Sequence, residues 1–130
     1  MCRLFVNADP GLWQSQTRSM RIGGFATSVR LEALFWNVLE ELGARDELPL
    51  SQLIARLYQE SLDEGHDLEN FASFLRVCCA RYLSLQLSED IPRDKSVPIR
   101  SLDADRILDR ERNRTGTRRG RVGSEATLHA

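Results

Sequence analysis

The sequence predicts a mainly α-helical domain that contains a short β-ribbon. Apolar residues recur at helical spacing in three stretches between residues 34 and 83. Immediately before them, at residues 25–31, the period of the pattern changes from 3.6 to two. After residue 87 the apolar periodicity stops, so the ordered domain is expected to end there.

Length and composition limit the class of protein. The chain has 130 residues, the size of one domain, and its 18 Lys and Arg nearly balance its 19 Asp and Glu. It has neither an apolar run near the roughly 20 residues of a bilayer span nor a secretory signal pattern, so we expect a cytoplasmic protein. Three cysteines and two histidines at unsuitable spacing predict reduced thiols, no metal site and no cofactor.

The ribbon is predicted from strict alternation in residues 25–31. Phe25, Thr27, Val29 and Leu31 point to one side and Ala26, Ser28 and Arg30 to the other. Gly23-Gly24 predicts a tight turn before this strand, and residues 19–22 predict a further short strand.

A lone strand needs a partner for its backbone groups. The partner is either a local hairpin strand across Gly23-Gly24 or the same strand of a second chain in a twofold antiparallel ribbon. We expect the shared ribbon, because it buries Val29 and Leu31 of both chains beneath both sets of helices.

Three helices follow the strand. The first is predicted from Ala33 to Gly43 and the second from Pro49 to Ser61, with proline acceptable in the first helical turn. The third contains Phe71, Phe74, Leu75, Cys78, Cys79, Tyr82 and Leu83, with Asp67 or Asn70 as its N-cap. Its broad apolar face predicts burial on more than one side.

The predicted organisation has three parts: an N-terminal arm at residues 1–18, a folded domain at 19–87 and a largely disordered, charged tail at 88–130. Within the tail, residues 102–111 are expected to form a short helix. Residues 112–121 contain five arginines. They predict either a flexible arm with salt-sensitive attraction for phosphate or an inert extension.

The order of these elements resembles the ribbon-helix-helix DNA-binding domains of the Arc and methionine repressors. The resemblance rests on the strand Thr27-Ser28-Val29-Arg30-Leu31-Glu32, on Phe35-Trp36 in the first helix and on Leu50-Ser51-Gln52-Leu53-Ile54 in the second. The third helix makes the chain most similar to short bacterial proteins of this kind. The resemblance covers about residues 19–85. It implies a homodimeric transcriptional regulator, such as a repressor, whose ribbon enters the major groove of double-stranded DNA.

The same resemblance implies roles for individual residues. Ala26, Ser28 and Arg30 are expected to contact base edges, and Arg30 can bond guanine O6 and N7. The family usually has larger polar residues at such positions, so Ala26 departs from the pattern. The expected phosphate contacts are Arg18, Arg21 and the backbone N–H groups of Leu50 and Ser51. The expected dimer core is Val29, Leu31, Phe35, Trp36 and Ile54.

The sequence also bears on two other classes of function, an enzyme and a protein-binding module. The sequence lacks a P-loop, a nucleophile elbow and a dinucleotide fingerprint, and His66 has no nucleophile near it in sequence, so we expect no enzyme. The alternative to DNA binding is a protein–protein interaction module, antitoxin-like or a scaffold, on the same dimeric fold. Residues 1–87 carry eight arginines and eleven acids, which favours this alternative, whereas the acid-free stretch 11–31 favours DNA.

Overall fold

The computed structural model describes residues 2–129 and their side chains as far as residue 116. The chain forms two units, residues 1–100 and 101–130, which are described separately. The first unit begins with a five-residue helix, α1 (Cys2–Val6), and a 3₁₀ turn at Pro10–Trp13.

A β-hairpin follows. β1 (Ser15–Ile22) and β2 (Phe25–Glu32) pair antiparallel along their whole length, from Ser15 opposite Glu32 to Ile22 opposite Phe25. Gly23 and Gly24 form the two-residue turn, with φ of 60° and 84°. Positive φ at both central residues is the type I′ geometry, whose twist matches that of the strands it joins.

The hairpin answers one question and corrects two boundaries. β2 pairs with β1 of its own chain, which is the local alternative across Gly23-Gly24. This pairing uses one edge of β2 only, so a ribbon between two chains stays a prediction. The predicted strand at residues 19–22 in fact begins at Ser15, so β2 already has a partner of equal length. The N-terminal arm is also shorter than the predicted residues 1–18, because residues 15–18 belong to the hairpin.

The three predicted helices are confirmed, with small shifts at their ends. They are α2 (Ala33–Arg45), α3 (Leu50–Asp63) and α4 (Phe71–Leu87). Pro49 is the N-cap of α3 instead of its first helical residue. The side chain of Asn70 caps α4 by accepting a hydrogen bond from the backbone N–H of Ser73 at 3.2 Å.

The helices cover one face of the hairpin and bury a single core. Its buried members are Ile22, Val29, Leu31, Trp36, Leu39, Leu53, Ile54, Leu75 and Cys79. Burying one such apolar side chain contributes about 1.5–3 kcal/mol. Four of the five predicted dimer-core residues are therefore buried within one chain, and the fifth, Phe35, is half-buried. A second chain is not needed to complete this core.

Residues 88–100, here called the C-terminal strap, pack against the helices instead of being disordered. Ile91 is buried, and Arg45, only 4% exposed, donates to the carbonyl oxygens of Val97 and Asp94, each at 3.0 Å. Arg100 donates to the carbonyl oxygen of Asp46 at 3.0 Å. The prediction of a disordered tail failed here because one buried apolar side chain, Ile91, and hydrogen bonds to the strap carbonyls produce no apolar periodicity in the sequence.

The second unit contains α5 (Ala104–His129), longer than the short helix expected at residues 102–111. Asp103 lies just before it, and its carboxylate accepts from the backbone N–H of Arg106 at 3.2 Å. The side chains of Arg118, Arg119 and Arg121, part of the predicted basic arm, lie outside the described residues.

Candidate nucleic-acid interface

The hairpin has an inner face on the core and an outer face in solvent, because side chains alternate along each strand. We define the outer face as the seven exposed residues on the side opposite the helices. They are Ser15, Thr17, Ser19, Arg21, Ala26, Ser28 and Arg30. The three residues predicted to contact bases all lie on this face, and β1 adds four more.

Cross-strand pairs organise the outer face. Ser19 lies opposite Ser28, with their hydroxyl oxygens 3.3 Å apart, and Thr17 lies opposite Arg30. Arg21, opposite Ala26, donates to the carbonyl oxygen of Gly24 at 3.3 Å. The result is a surface of small and hydroxyl side chains with an arginine toward each end.

The outer face is positive. Arg21 and Arg30 are its charged members, and among the described residues Arg30 has no hydrogen-bond or ion-pair partner. The nearest acid along β2 is Glu32, whose carboxylate binds Arg76 with an N–O distance of 2.7 Å. That hydrogen bond from Arg76 lowers the pKa of Glu32 and keeps the carboxylate paired. Positive charge is therefore left uncompensated on this face, although the chain as a whole has a net charge of −1.

The backbone of the predicted base-contacting residues is also available. In an antiparallel ladder, both backbone groups of one residue point to the same neighbouring strand and those of the next residue point away. Ala33 N donates to the carbonyl oxygen of Gln14 at 2.9 Å, and this bond sets the phase of the ladder. The backbone groups of Ala26, Ser28 and Arg30 therefore point away from β1. Within the described part of the chain, no strand lies beside that edge of β2.

Arg18 does not join the outer face. It lies between Thr17 and Ser19, so its side chain points inward, where it pairs with Glu40 at 2.8 Å. Its guanidinium also stacks over the ring of Trp36, 4.8 Å from the centroid. These contacts hold Arg18 against α2, away from the position expected of a phosphate contact.

Arg21, also predicted to contact phosphate, lies on the outer face, whereas Leu50 and Ser51 lie at the start of α3. Leu50 is half-buried beside the core and Ser51 is exposed. The carbonyl oxygen of Pro49 accepts from the backbone N–H groups of Gln52 and Leu53, each at 3.0 Å. Because α3 packs on the inner side of the hairpin, Leu50 and Ser51 are not part of the outer face.

Thr17 and Ser19 were missed by the sequence analysis. They alternate with Arg18, Met20 and Ile22 in the same period of two that identified β2. The alternation in β1 is hard to recognise because position 18, which points inward, holds an arginine. An arginine in a strand is normally taken as a residue of the solvent side. Tertiary contacts with Trp36 and Glu40 make that inward arginine stable.

The described residues show neither a reactive thiol in the core nor a metal site. Cys79 is buried, and burial raises the pKa of its thiol to about 12, so it is an unreactive core residue. Over the described residues, no group of three metal-ligating side chains comes together. Nor is any described helix long and apolar enough to cross a bilayer.

Comparison with known proteins identifies the fold. A family model described as a ribbon-helix-helix domain matches residues 15–83, which include both strands, α2, α3 and most of α4. The chain belongs to the ribbon-helix-helix family. This family is a DNA-binding, regulator-type fold, and the resemblance inferred from the sequence is confirmed.

A solved structure is similar to this ribbon-helix-helix protein over most of its length. It is that of an uncharacterized protein from Bordetella pertussis Tohama I, with 54% sequence identity and a TM-score of 0.80. The similarity covers 83% of this chain and 86% of that one. No curated protein matches the chain.

Proposed function

We propose that this ribbon-helix-helix protein binds double-stranded DNA as a homodimer and regulates transcription, with β2 in the major groove. The observation that carries the proposal is the outer face of the hairpin, which is exposed and lined by side chains that can bond base edges. The acid at the end of this side, Glu32, is paired with Arg76. The family's DNA-binding fold supports the same function. In a bacterium, this function implies a cytoplasmic location beside the chromosome.

The roles of the base-contacting residues follow from their chemistry. Arg30, exposed and without a partner among the described residues, can donate two hydrogen bonds to guanine O6 and N7. Ser28 can donate to or accept from several bases, and Ala26 can contact a thymine methyl group.

Dimerisation is proposed through the unpaired edge of β2. Exposed N–H and C=O groups along a strand edge form a template for another strand. A second copy of β2 related by a twofold axis satisfies the edge groups of Ala26, Ser28 and Arg30 in both chains. The hairpin within each chain and the ribbon between chains are therefore compatible, and the dimer has a four-stranded sheet in the order β1-β2-β2-β1.

This pairing also gives a reason for Ala26. If Ser28 faces its own copy across the twofold axis, Ala26 of one chain lies beside Arg30 of the second copy, because antiparallel pairs have a constant sum of residue numbers. A small side chain at position 26 leaves room for the neighbouring guanidinium. The small residue at position 26 would then allow Arg30 of the second copy to lie beside it.

The test is selection of binding sites from random duplex DNA at near-physiological salt, followed by fluorescence anisotropy on an enriched and an unrelated duplex. Arg30→Ala should lower affinity for the enriched duplex, and a bidentate arginine–guanine contact is worth about 1–3 kcal/mol of discrimination. Affinity for the unrelated duplex should fall far less.

Arg56→Ala is the matched control, because it removes the same charge from an exposed position on α3. It should leave the ratio of the two affinities unchanged. Failure to enrich any sequence, or equal discrimination by Arg30→Ala and the native chain, would contradict the proposal.

A second candidate function is binding of a protein partner through α4. Leu83 and Leu87, which are 44% and 76% exposed, lie about one turn apart on one side of this helix. Neighbouring exposed apolar side chains of this kind are typical of a protein-binding surface. If the selection yields no DNA binding at all, binding of a protein partner becomes the better supported function.

A further inference from the structure

We propose that β1 is a phosphate-binding strand, in which Thr17, Ser19 and Arg21 contact the DNA backbone along the walls of the major groove while β2 reads the bases. This inference rests on the proposed function and extends the phosphate contact predicted for Arg21 to the neighbouring hydroxyl side chains of β1.

The first step is the width of the sheet. Neighbouring strands lie about 4.8 Å apart, so the outer strands of a four-stranded sheet are about 14 Å apart. The major groove is about 12 Å wide and admits a two-stranded ribbon. The two copies of β2 fit between the groove walls, whereas the two copies of β1 lie over the walls, where the phosphates are.

The second step is the orientation of the β1 side chains. Thr17, Ser19 and Arg21 are exposed on the same face of the hairpin as Ser28 and Arg30. The contact between the Ser19 and Ser28 hydroxyl oxygens, at 3.3 Å, joins the two strands on that face. When β2 approaches the groove floor, the β1 side chains therefore approach the DNA from the same direction.

The third step is the chemistry of the three side chains. Threonine and serine hydroxyls and arginine are common donors to phosphate oxygens, and none of them needs a particular base. Arg21 keeps donor capacity beyond its single bond to the Gly24 carbonyl oxygen, because guanidinium carries five N–H donors. The charge on β1 that faces outward is thus suited to the DNA backbone.

Salt dependence of binding separates phosphate contacts from base contacts. Each neutralised phosphate contributes about 0.9 to the slope of log K against log salt. Because a dimer has two copies of Arg21, Arg21→Ala should flatten the slope by about 1.8 and weaken binding equally on an enriched and an unrelated duplex. Thr17→Ala with Ser19→Ala should weaken both complexes by the same factor without changing the slope.

Two matched variants complete the design. Arg56→Ala, an exposed arginine on α3, should leave the slope close to that of the native protein. Arg30→Ala should instead change the ratio between the two duplexes. All of the substituted positions are exposed, so circular dichroism melting curves should be close to those of the native chain.

The outcomes are distinct. An Arg21→Ala slope equal to that of Arg56→Ala overturns the phosphate-binding role of β1 but leaves the proposed function intact. Loss of sequence discrimination in the β1 variants also overturns this role, since β1 would then read bases. Absence of DNA binding by the native protein overturns both this inference and the proposed function.

Discussion

At the scale of single residues, Gly43 marks a close approach between two segments of backbone. Gly43 lies in the last turn of α2, close to the loop that leads to α3. A Cβ atom at this position would be 2.8 Å from the carbonyl oxygen of Leu48. The backbone N–H of Leu48 donates to the carbonyl oxygen of Gly43 at 2.9 Å, so the two segments are held together. The glycine allows this contact by its lack of a side chain.

Replacement of Gly43 by alanine should therefore destabilise the protein, even though alanine is the better helix former. Overpacking of this kind costs about 1–3 kcal/mol, which exceeds the roughly 1 kcal/mol that alanine adds in a helix. Urea unfolding followed by circular dichroism measures the difference. The control is Gly116→Ala in α5, where no atom lies within 4 Å of the added methyl group. A Gly43→Ala protein at least as stable as the native chain would contradict the prediction.

Glu41 should make stability depend on pH. The hydrogen bond from Lys95, followed in importance by the one from Tyr82, holds the pKa of Glu41 below its ordinary value of 4.5. A carboxylate with a lowered pKa contributes stability that is present above pH 4.5 and is lost as the pH falls through the pKa of the folded state.

The free energy of unfolding of Glu41→Gln should accordingly fall less steeply than that of the native protein below about pH 5. Glu60→Gln, at an exposed position of α3, is the control. Identical pH profiles for the native chain and Glu41→Gln would show that the contacts of Glu41 add no stability.

At the scale of elements, the hairpin depends on its turn. Type I′ turns favour Asn-Gly at their central positions because asparagine tolerates positive φ. Gly23, with φ of 60°, has room for a side chain, since its nearest neighbour would be a ring carbon of Tyr58 at 3.9 Å. Backbone conformation therefore decides which residues position 23 accepts.

Gly23→Asn should keep the native stability, while Gly23→Val should lose about 1–2 kcal/mol, because a β-branched residue is strained at positive φ. Thermal unfolding of the two variants tests this. Equal melting temperatures for the asparagine and valine proteins would mean that the turn does not have the type I′ conformation in solution.

The position of the C-terminal strap depends mainly on one residue, Arg45. Arg45 donates to two strap carbonyls and also to the Tyr82 hydroxyl, at 3.3 Å. Removal of a buried donor leaves these acceptors without their partner and without water.

Arg45→Met should lose about 3 kcal/mol of unfolding free energy, and the amide of Val97 should exchange with deuterium much faster than in the native protein. Arg56→Met, at an exposed position, should change neither quantity. An unaltered exchange rate at Val97 would mean that the strap is held by contacts other than those of Arg45.

At the scale of the whole molecule, charge is segregated. The stretch of residues 11–31 has no acid, whereas the acids concentrate in and after the helices, and the total is −1. A near-neutral protein can therefore present a positive surface of limited extent, and long-range repulsion between its acids and DNA phosphates is screened over about 8 Å at physiological salt. The DNA contacts proposed for the outer face lie within that distance.

The proposed dimer is tested by proline at the unpaired edge of β2. Proline lacks an N–H, so Ser28→Pro removes a donor that points away from β1 and should convert the dimer to a monomer. Ser19→Pro makes the same change on the opposite edge of the hairpin and should remain dimeric. Light scattering after size-exclusion chromatography gives the mass. A monomeric native chain, or a dimeric Ser28→Pro protein, would contradict pairing through β2.

Much of the fold could be predicted from the sequence, because periodicity is a local property. Alternation at residues 25–31 and the apolar spacing of α2, α3 and α4 follow from which side chains must leave water. The same alternation placed Ala26, Ser28 and Arg30 together on an exposed face. These assignments needed no knowledge of which element packs on which.

Only the tertiary structure decided three further matters. It paired β2 with β1, turned Arg18 inward toward Glu40 and Trp36, and fixed the strap through Arg45. The contacts of Arg18 and Arg45 depend on partners distant in sequence, and the pairing of β2 depends on a choice between two strands that alternation alone does not make. An arginine reads as a surface residue until a carboxylate, an aromatic ring or free carbonyls are placed beside it, and hydrogen bonds to backbone carbonyls carry no signature of residue type.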